Sequence, residues 1–268
     1  MNPAAPLDVS LVLPVRDEAS TVVRVLRDYL AAFAAQGWTV EAIVLDDASA
    51  DGSADAVADA ALPTVRLVRQ ARRQGYGALC RAGSAMARGR IVVWTDADGT
   101  YTAADAARVV LALGAFDQVV GVRATDHGRL RWLRLATKQL ICVLVSLAWG
   151  RAIPDLNCGL RAFRMEALRA ILTELPDGFS CTSTATLAAL NRGQRLRWMP
   201  IAYEARATAA MSKFRPVVDT ARLLAVIARQ WRRRRLVRRR PVGTEGAREI
   251  RRPHVLALRG RDLARAAR

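Results

Sequence analysis

The sequence predicts an α/β fold, a mostly parallel sheet flanked by helices, on three observations. Short apolar runs alternate with helical segments through its first half. Two of those runs end in a pair of acids, and nothing is apolar over the about 20 residues a spanning helix needs. Residues 8–14 (DVSLVLP) read as a buried strand, followed by a loop and a helix starting near Ser20 as its N-cap. Residues 40–45 (VEAIVL) are a second strand, ending in Asp46-Asp47. Residues 53–61 read as a short helix and 64–68 as a third strand. Residues 75–88 are helical, and 91–95 (IVVWT) are a fourth strand running into Asp96 and Asp98. A helix over 102–113 and a strand over 118–121 complete the pattern. Strands and helices alternating at this spacing imply parallel βαβ units, whose ligands sit at the carboxyl ends of the strands. Both acidic pairs fall there.

After Arg123 the pattern changes. Residues 131–150 form a long helical stretch, cationic first and apolar later; 155–164 read as a polar turn with a glycine, 167–175 as a helix, and 178–203 as a helix and a short strand. Residues 216–231 are amphipathic, with Asp219, Arg222 and Arg229 on one stripe and Val217, Leu224, Ala228 and Trp231 on another. Residues 232–240 then hold seven arginines in nine positions, and the remainder is Arg-rich with few large apolar residues. The expected organisation is a folded domain over 1–215 and an amphipathic, basic C-terminal extension over 216–268.

Charge supports that division. The 268 residues carry a net +18, and residues 217–268 hold sixteen Arg against four acids (Asp219, Glu245, Glu249, Asp262). Two thirds of the excess thus lies in the last fifth of the chain, implying a nearly balanced body and a tail meant for an anionic partner. Cys80, Cys142, Cys158 and Cys181 lie far apart with no CxxC spacing, which argues against a zinc site or a disulfide framework. The first eight residues lack a basic and apolar leader, so a cytoplasmic location is expected.

Asp96-Ala97-Asp98 carries the chemistry. Two carboxylates two residues apart at a strand end converge on one hard cation, Mg²⁺ or Mn²⁺, which completes its shell with diphosphate oxygens and neutralises a departing nucleoside diphosphate. Alone, the triplet reads more readily as solvated loop acids, and its context is what raises the metal reading. Asp46 and Asp47 are placed to accept hydrogen bonds from a base and ribose. Gly75-Tyr76-Gly77 is not a dinucleotide fingerprint: position 80 is Cys, and the diagnostic loop follows a first strand.

The set LPVRDE (13–18), LDDASADGS (45–53), RQGYGAL (73–79), WTDADGTY (94–101) and GVR (121–123) resembles the family 2 glycosyltransferases of the GT-A (Rossmann-like) fold, across roughly residues 10–229. IPDLNCGLRAFR (153–164) resembles the DxxSGxR segment of the dolichol- and polyprenyl-phosphate sugar synthases. FSCTST (179–184), Pro200-Ile201, Arg206 and Ser212-Lys213-Phe214 continue that pattern. The resemblance implies inverting transfer from a UDP- or GDP-sugar to a polyprenyl phosphate. It puts Pro14, Glu18, Asp47 and Gly77 against the nucleotide and Asp96 and Asp98 at the metal; Asp46, at its strand end, and Asp96 complete the expected donor-binding set. Cys158 stands where Ser is usual and Gly99-Thr100 where many relatives carry a Leu-Gln pair; the acidic pair is intact.

The residues fit that chemistry on their own terms. Transfer to an alcohol needs a general base, and His is almost absent (His127, His254). A phosphate acceptor is already ionised and needs cations that hold it in line. Arg123, Arg134, Lys138, Arg161, Arg206 and Lys213, with Ser212, are the candidates for the acceptor phosphate; Asp98, Arg123 and Lys213 are the expected catalytic set. Each cation also reads as a solvated surface residue, with Arg123 and Lys213 favoured by their motifs. The expected location is peripheral, at the inner face of the plasma membrane. Residues 131–149 and 216–240 are the segments expected to meet an anionic membrane surface, with core packing the competing reading for the first. Nucleic acid ranks below the membrane as partner of the tail, which has no interleaved aromatics. Two alternatives remain: a family 2 enzyme acting on a glycan or small-molecule hydroxyl, and an inactive basic adaptor of this fold.

Overall fold

The structure, a computed structural model, describes residues 7–123, 131–203 and 216–239, with side chains except at 131–138, 216–220 and 236–239. Strand β1 (Val9–Val15) pairs in parallel with β2 (Val40–Asp46) on one side and β4 (Ile91–Trp94) on the other, and β3 (Val65–Arg69) lies beyond β2. All seven residues of β1 are buried, as a strand covered on both faces requires. Its alternation feeds two cores. Val9, Leu11, Leu13 and Val15 pack towards α1 (Val22–Ala34) and α4 (Ala103–Leu111). Val12 packs towards α3 (Tyr76–Met86), α6 (Met165–Ile171) and α7 (Cys181–Asn191). The short α2 (Ser53–Asp59) adds Val57 to the first core. Helix α1 starts one residue later than expected, with Thr21 at its cap. The Thr21 hydroxyl donates to the Glu18 and Ala97 carbonyls instead of capping, and Ser20 is exposed.

In the second half, β5 (Gln118–Arg123) and β7 (Leu196–Ile201) are parallel neighbours. The expected polar turn over 155–164 is half strand: β6 (Arg161–Arg164) inserts between β4 and β5, antiparallel to both, giving the order β3-β2-β1-β4-β6-β5-β7. Two arginines in four residues mask its apolar signal. Arg161 is nevertheless fully buried, and the Phe163 ring packs on Trp94 at 4.7 Å.

A third core joins α5 (Arg131–Trp149), α7 and α8 (Pro216–Arg239) through Cys142, Val145, Trp149, Leu187 and Leu223, with Ile227 and Trp231 against it. Helix α8 buries Leu223, Val226 and Gln230, while Leu224 and Ala228, expected on its apolar stripe, face solvent. The stretch LLAVI offers more than one apolar stripe at helical spacing, and docking against α5 and α7 selects this one. Polar ties hold α8 to the body: Trp149 Nε1 donates to Asn191 (3.0 Å), Asn191 to Gln230 (2.9 Å), and Glu174 accepts from Arg192, Arg233 and Gln230. Arg233 is tied to Glu174 while still half-exposed, and Arg234 turns inward over the Trp149 ring. Among the described residues no helix is long and apolar enough to cross a membrane.

Candidate active site at the carboxyl edge of the sheet

Parallel strands deliver their last residues to one edge, and the reversed β6 delivers its first residues to the same edge: Trp94 pairs with Arg161, and Arg161 with Val120. Asp46 and Asp47, Asp96 and Asp98, Arg123, the 155–159 loop and Tyr203 therefore gather there.

On the donor side, two loops are stitched together. The Asp17 and Glu18 amides donate to the Ser49 and Ser53 hydroxyls (3.0 and 2.8 Å), Ala50 donates back to Asp17, and Arg16 donates to the Asp47 carbonyl. Asp17 and Ala48 both hold positive φ (50° and 55°), a strained choice for non-glycine residues that clusters at functional sites. Pro14 is buried in β1 opposite Leu45, just before this turn. Asp47 is engaged in folding its surroundings, accepting from the Gln74 and Gly75 amides (2.6 and 3.2 Å). Asp46 differs: Oδ2 accepts from Ser49 (3.2 Å), but Oδ1 is buried with no partner among the described residues, an acceptor waiting for a donor. Gly77, expected against the nucleotide, faces protein. A Cβ there would sit 2.0 Å from the Pro176 carbonyl oxygen, and its amide donates to the Asp177 carbonyl. Its lack of a side chain serves the close approach of α3 to the 176–178 loop.

At the centre, Asp98 is buried and Oδ1 accepts from both the amide and hydroxyl of Thr100 (3.1 and 2.7 Å). Thr100 thus orients the carboxylate. The Asp96 carboxylate abuts Gly159, where a Cβ would lie 2.8 Å from Oδ2 and 3.0 Å from Oδ1. Gly159 opens a cradle that any side chain would fill. That cradle and the hard oxygen donors of the pair fit Mg²⁺ or Mn²⁺ with the rest of the shell from phosphate and water. Among the described residues no group of three or more His, Cys, Asp or Glu is placed to hold a metal ion.

On the far side, Arg123 is locked. Its Nε and Nη2 donate to the two oxygens of the fully buried Asp155 (2.9 and 3.0 Å), and its Cζ lies 5.4 Å from the Tyr203 ring centroid. Burial works against its charge, but the neighbouring Tyr101 and Asp155 more than offset it and keep the guanidinium protonated. Tyr203 packs on Tyr101 (5.6 Å); burial raises its pKa, Arg123 opposes that, and Asp98 and Asp96 reinforce it. One ring therefore feels both the cation and the acid pair. The Tyr101 hydroxyl accepts from the Gly159 amide (3.0 Å), and burial pushes the Cys158 thiol beside it up to about 11.

Arg161 departs from expectation. It is fully buried and donates to the Cys158 carbonyl (2.6 and 3.0 Å), the Thr182 carbonyl (2.9 Å) and the Thr186 hydroxyl (3.2 Å). It ties the 155–159 loop to α7 and does not face an acceptor. The side chains of Arg134 and Lys138, and all of Arg206, Ser212 and Lys213, lie outside the described residues. Asp155 and Gly159 are the Asp and Gly of the DxxSGxR-like segment, to which the sequence assigns no individual role, and Tyr203 carries no local signal.

The chain is 31% identical over 167 residues to an undecaprenyl-phosphate 4-deoxy-4-formamido-L-arabinose transferase of Edwardsiella ictaluri (61% of this chain, 51% of the relative). It is 34% identical over 171 residues to that of Pseudomonas fluorescens (61% and 49%). The chain thus spans about half the length of the curated relatives it matches. In structure it is similar to glucosyl-3-phosphoglycerate synthase of Mycobacterium tuberculosis, solved with Mn²⁺, UDP-glucose and phosphoglyceric acid (TM-score 0.65, 19% identity, 85% of this chain and 80% of that one). Mannosyl-3-phosphoglycerate synthase of Rubrobacter xylanophilus is another neighbour (TM-score 0.63, 19% identity, 93% and 78%). These likenesses confirm the GT-A fold. The model of glycosyl transferase family 2 matches residues 10–172, the span that builds the donor loops, the acidic pair and β6, and the chain belongs to that family.

Proposed function

We propose that the chain transfers one sugar, with inversion, from a nucleotide-diphosphate sugar to a polyprenyl phosphate at an anionic membrane surface, and that Asp96 and Asp98 hold Mg²⁺ or Mn²⁺. The observation that carries this reading is Arg123: a guanidinium fixed by Asp155 and Tyr203 on the other side of the acid pair from the donor loops. An anionic acceptor needs such a cation and no base. Support comes also from the lipid-phosphate acceptor named for the curated relatives and the Mn²⁺ and UDP-glucose bound by the structural neighbour.

The residues divide the work. Asp46 Oδ1 accepts a hydrogen bond from the nucleoside, and the stitched 16–19 and 47–53 loops shape the pocket that receives it. The metal, when bound, offsets negative charge on the departing diphosphate. Arg123 draws the acceptor phosphate to the sugar face opposite the leaving group, and the Tyr203 ring shields that approach from water. Lys213, Arg206, Ser212, Arg134 and Lys138 remain proposed contributors to the acceptor site.

The test is a panel of UDP- and GDP-sugars with purified chain, Mn²⁺ or Mg²⁺, and a short-chain polyprenyl phosphate. An acid-labile lipid-linked sugar is the expected product. Asp98→Ala should lower its formation by about 10²–10³-fold and abolish the metal-dependent thermal shift with UDP or GDP. Product on 3-phosphoglycerate in place of the lipid, or no nucleotide-dependent shift in the unaltered chain, overturns the reading.

A further inference from the structure

Helix α5 is the crossover between β5 and β6. The chain leaves the sheet after Arg123 and returns through Asp155, and those two residues are bound to each other. The helix is therefore anchored at the acceptor side of the site. Its inner face is core, with Cys142, Val145 and Trp149 buried. Its outer face is not polar. Leu140, Val143, Leu144 and Leu147 are each more than half exposed, and their spacing (i, i+3, i+4, i+7) aligns them along one stripe. Four of the seven large exposed apolar side chains among the described residues lie on this single face. Scattered exposed leucines are ordinary; a continuous stripe marks an interaction surface.

Charge identifies the occupant. Helix α5 holds Arg131, Arg134 and Lys138 and no carboxylate, and α8 beside it holds eight arginines and no carboxylate between residues 221 and 239. Arg232 and Arg235 are exposed. A second copy of this chain would bring like charge against like. We propose that the α5 stripe inserts into the interface of an anionic bilayer, with the outward arginines of α8 at headgroup level, so that the helix sets the depth and orientation of the site. The surface rests on α5 itself; that it presents a lipid phosphate to Arg123 rests on the function proposed above.

The experiment uses the full chain and a Leu144→Glu/Leu147→Glu variant, with Leu147→Ser as a milder companion. Both are sedimented with vesicles of phosphatidylethanolamine and phosphatidylglycerol, and with phosphatidylcholine alone. The unaltered chain should bind the anionic vesicles. Each leucine withdrawn from the apolar phase lowers partitioning by roughly tenfold, so the double variant should lose about a hundredfold and the single variant about tenfold, with unfolding temperatures unchanged. Transfer to a long-chain acceptor in vesicles should fall in step, while transfer to a short-chain acceptor in solution is kept. Wild-type-like vesicle binding by both variants, or failure of the unaltered chain to bind anionic vesicles, overturns the surface. Self-association of the unaltered chain that the double variant abolishes assigns the stripe to a second copy and overturns it as well. Stripe-dependent vesicle binding without transfer to any polyprenyl phosphate overturns the proposed function and leaves the surface standing.

Discussion

At the scale of single residues, Arg123 and Arg161 divide two roles that look alike in the sequence. Arg161 donates four hydrogen bonds to backbone and hydroxyl oxygens in a fully buried setting. Arg161→Lys keeps the charge but cannot reproduce the planar fork, and it leaves buried carbonyls unpaired. The expected loss of stability is about 2–3 kcal/mol in denaturant unfolding, with the acceptor KM unmoved. Arg123 is the converse, a cation placed by its partner with part of its side chain still open. Asp155→Asn removes the bidentate acceptor. Breaking a fully buried pair costs about 3–5 kcal/mol, and the open edge of Arg123 reduces that to about 2–3 kcal/mol. The distinguishing readout is a rise in acceptor KM with nucleotide binding unchanged; an unchanged acceptor KM would assign the pair to stability alone.

Elements are held in register by polar clamps at the edge opposite the site. Asp8, just before β1, accepts from the amide and hydroxyl of Thr39 ahead of β2 and pairs with Arg90 ahead of β4. These bonds, the Thr39 amide first, lower its pKa from 3.8 to about 2. Because the folded-state value is depressed, the stabilisation is complete above the ordinary carboxylate range and is lost as pH falls through about 2. Asp8→Asn should therefore unfold more easily than the unaltered chain at pH 6, and the difference should shrink between pH 4 and pH 2 in acid-unfolding curves. Burial raises Glu41, but bonds from Ser10 and Arg88 outweigh it and leave its carboxyl low, so the clamp there has the same sign. Such links explain how β1, β2 and β4 are aligned accurately enough to place their far ends, and the two acidic pairs after β2 and β4, at one edge.

For the molecule as a whole, the feature to explain is a chain carrying a net +18 whose most basic described helix is docked on the body. Glu174 accepts from Arg192, Arg233 and Gln230, and so binds α8 to the end of α6 and to α7. Glu174→Ala should leave the fold standing, lower stability by about 1–3 kcal/mol and raise amide exchange in α8 selectively over the central strands, measured by hydrogen–deuterium exchange. Equal protection of α8 in both proteins would mean that the third core alone holds the helix.

Much of this was legible in the residues themselves. Alternating apolar strands and helices, and acids at the ends of the second and fourth strands, announce a parallel sheet with a ligand edge, because period and burial are local properties of the chain. Asp96 and Asp98 could be found for the same reason. The reversed β6 could not, since its apolar content is hidden by an arginine that only a folded loop and α7 can satisfy. Nor could the structural role of Arg161, the Asp155 carboxylate that fixes Arg123, the protein-facing Gly77, or the stripe of α8 that goes inward. Those are decided by which carbonyl, carboxylate or helix stands opposite, and partners far along the chain meet only when the sheet has formed.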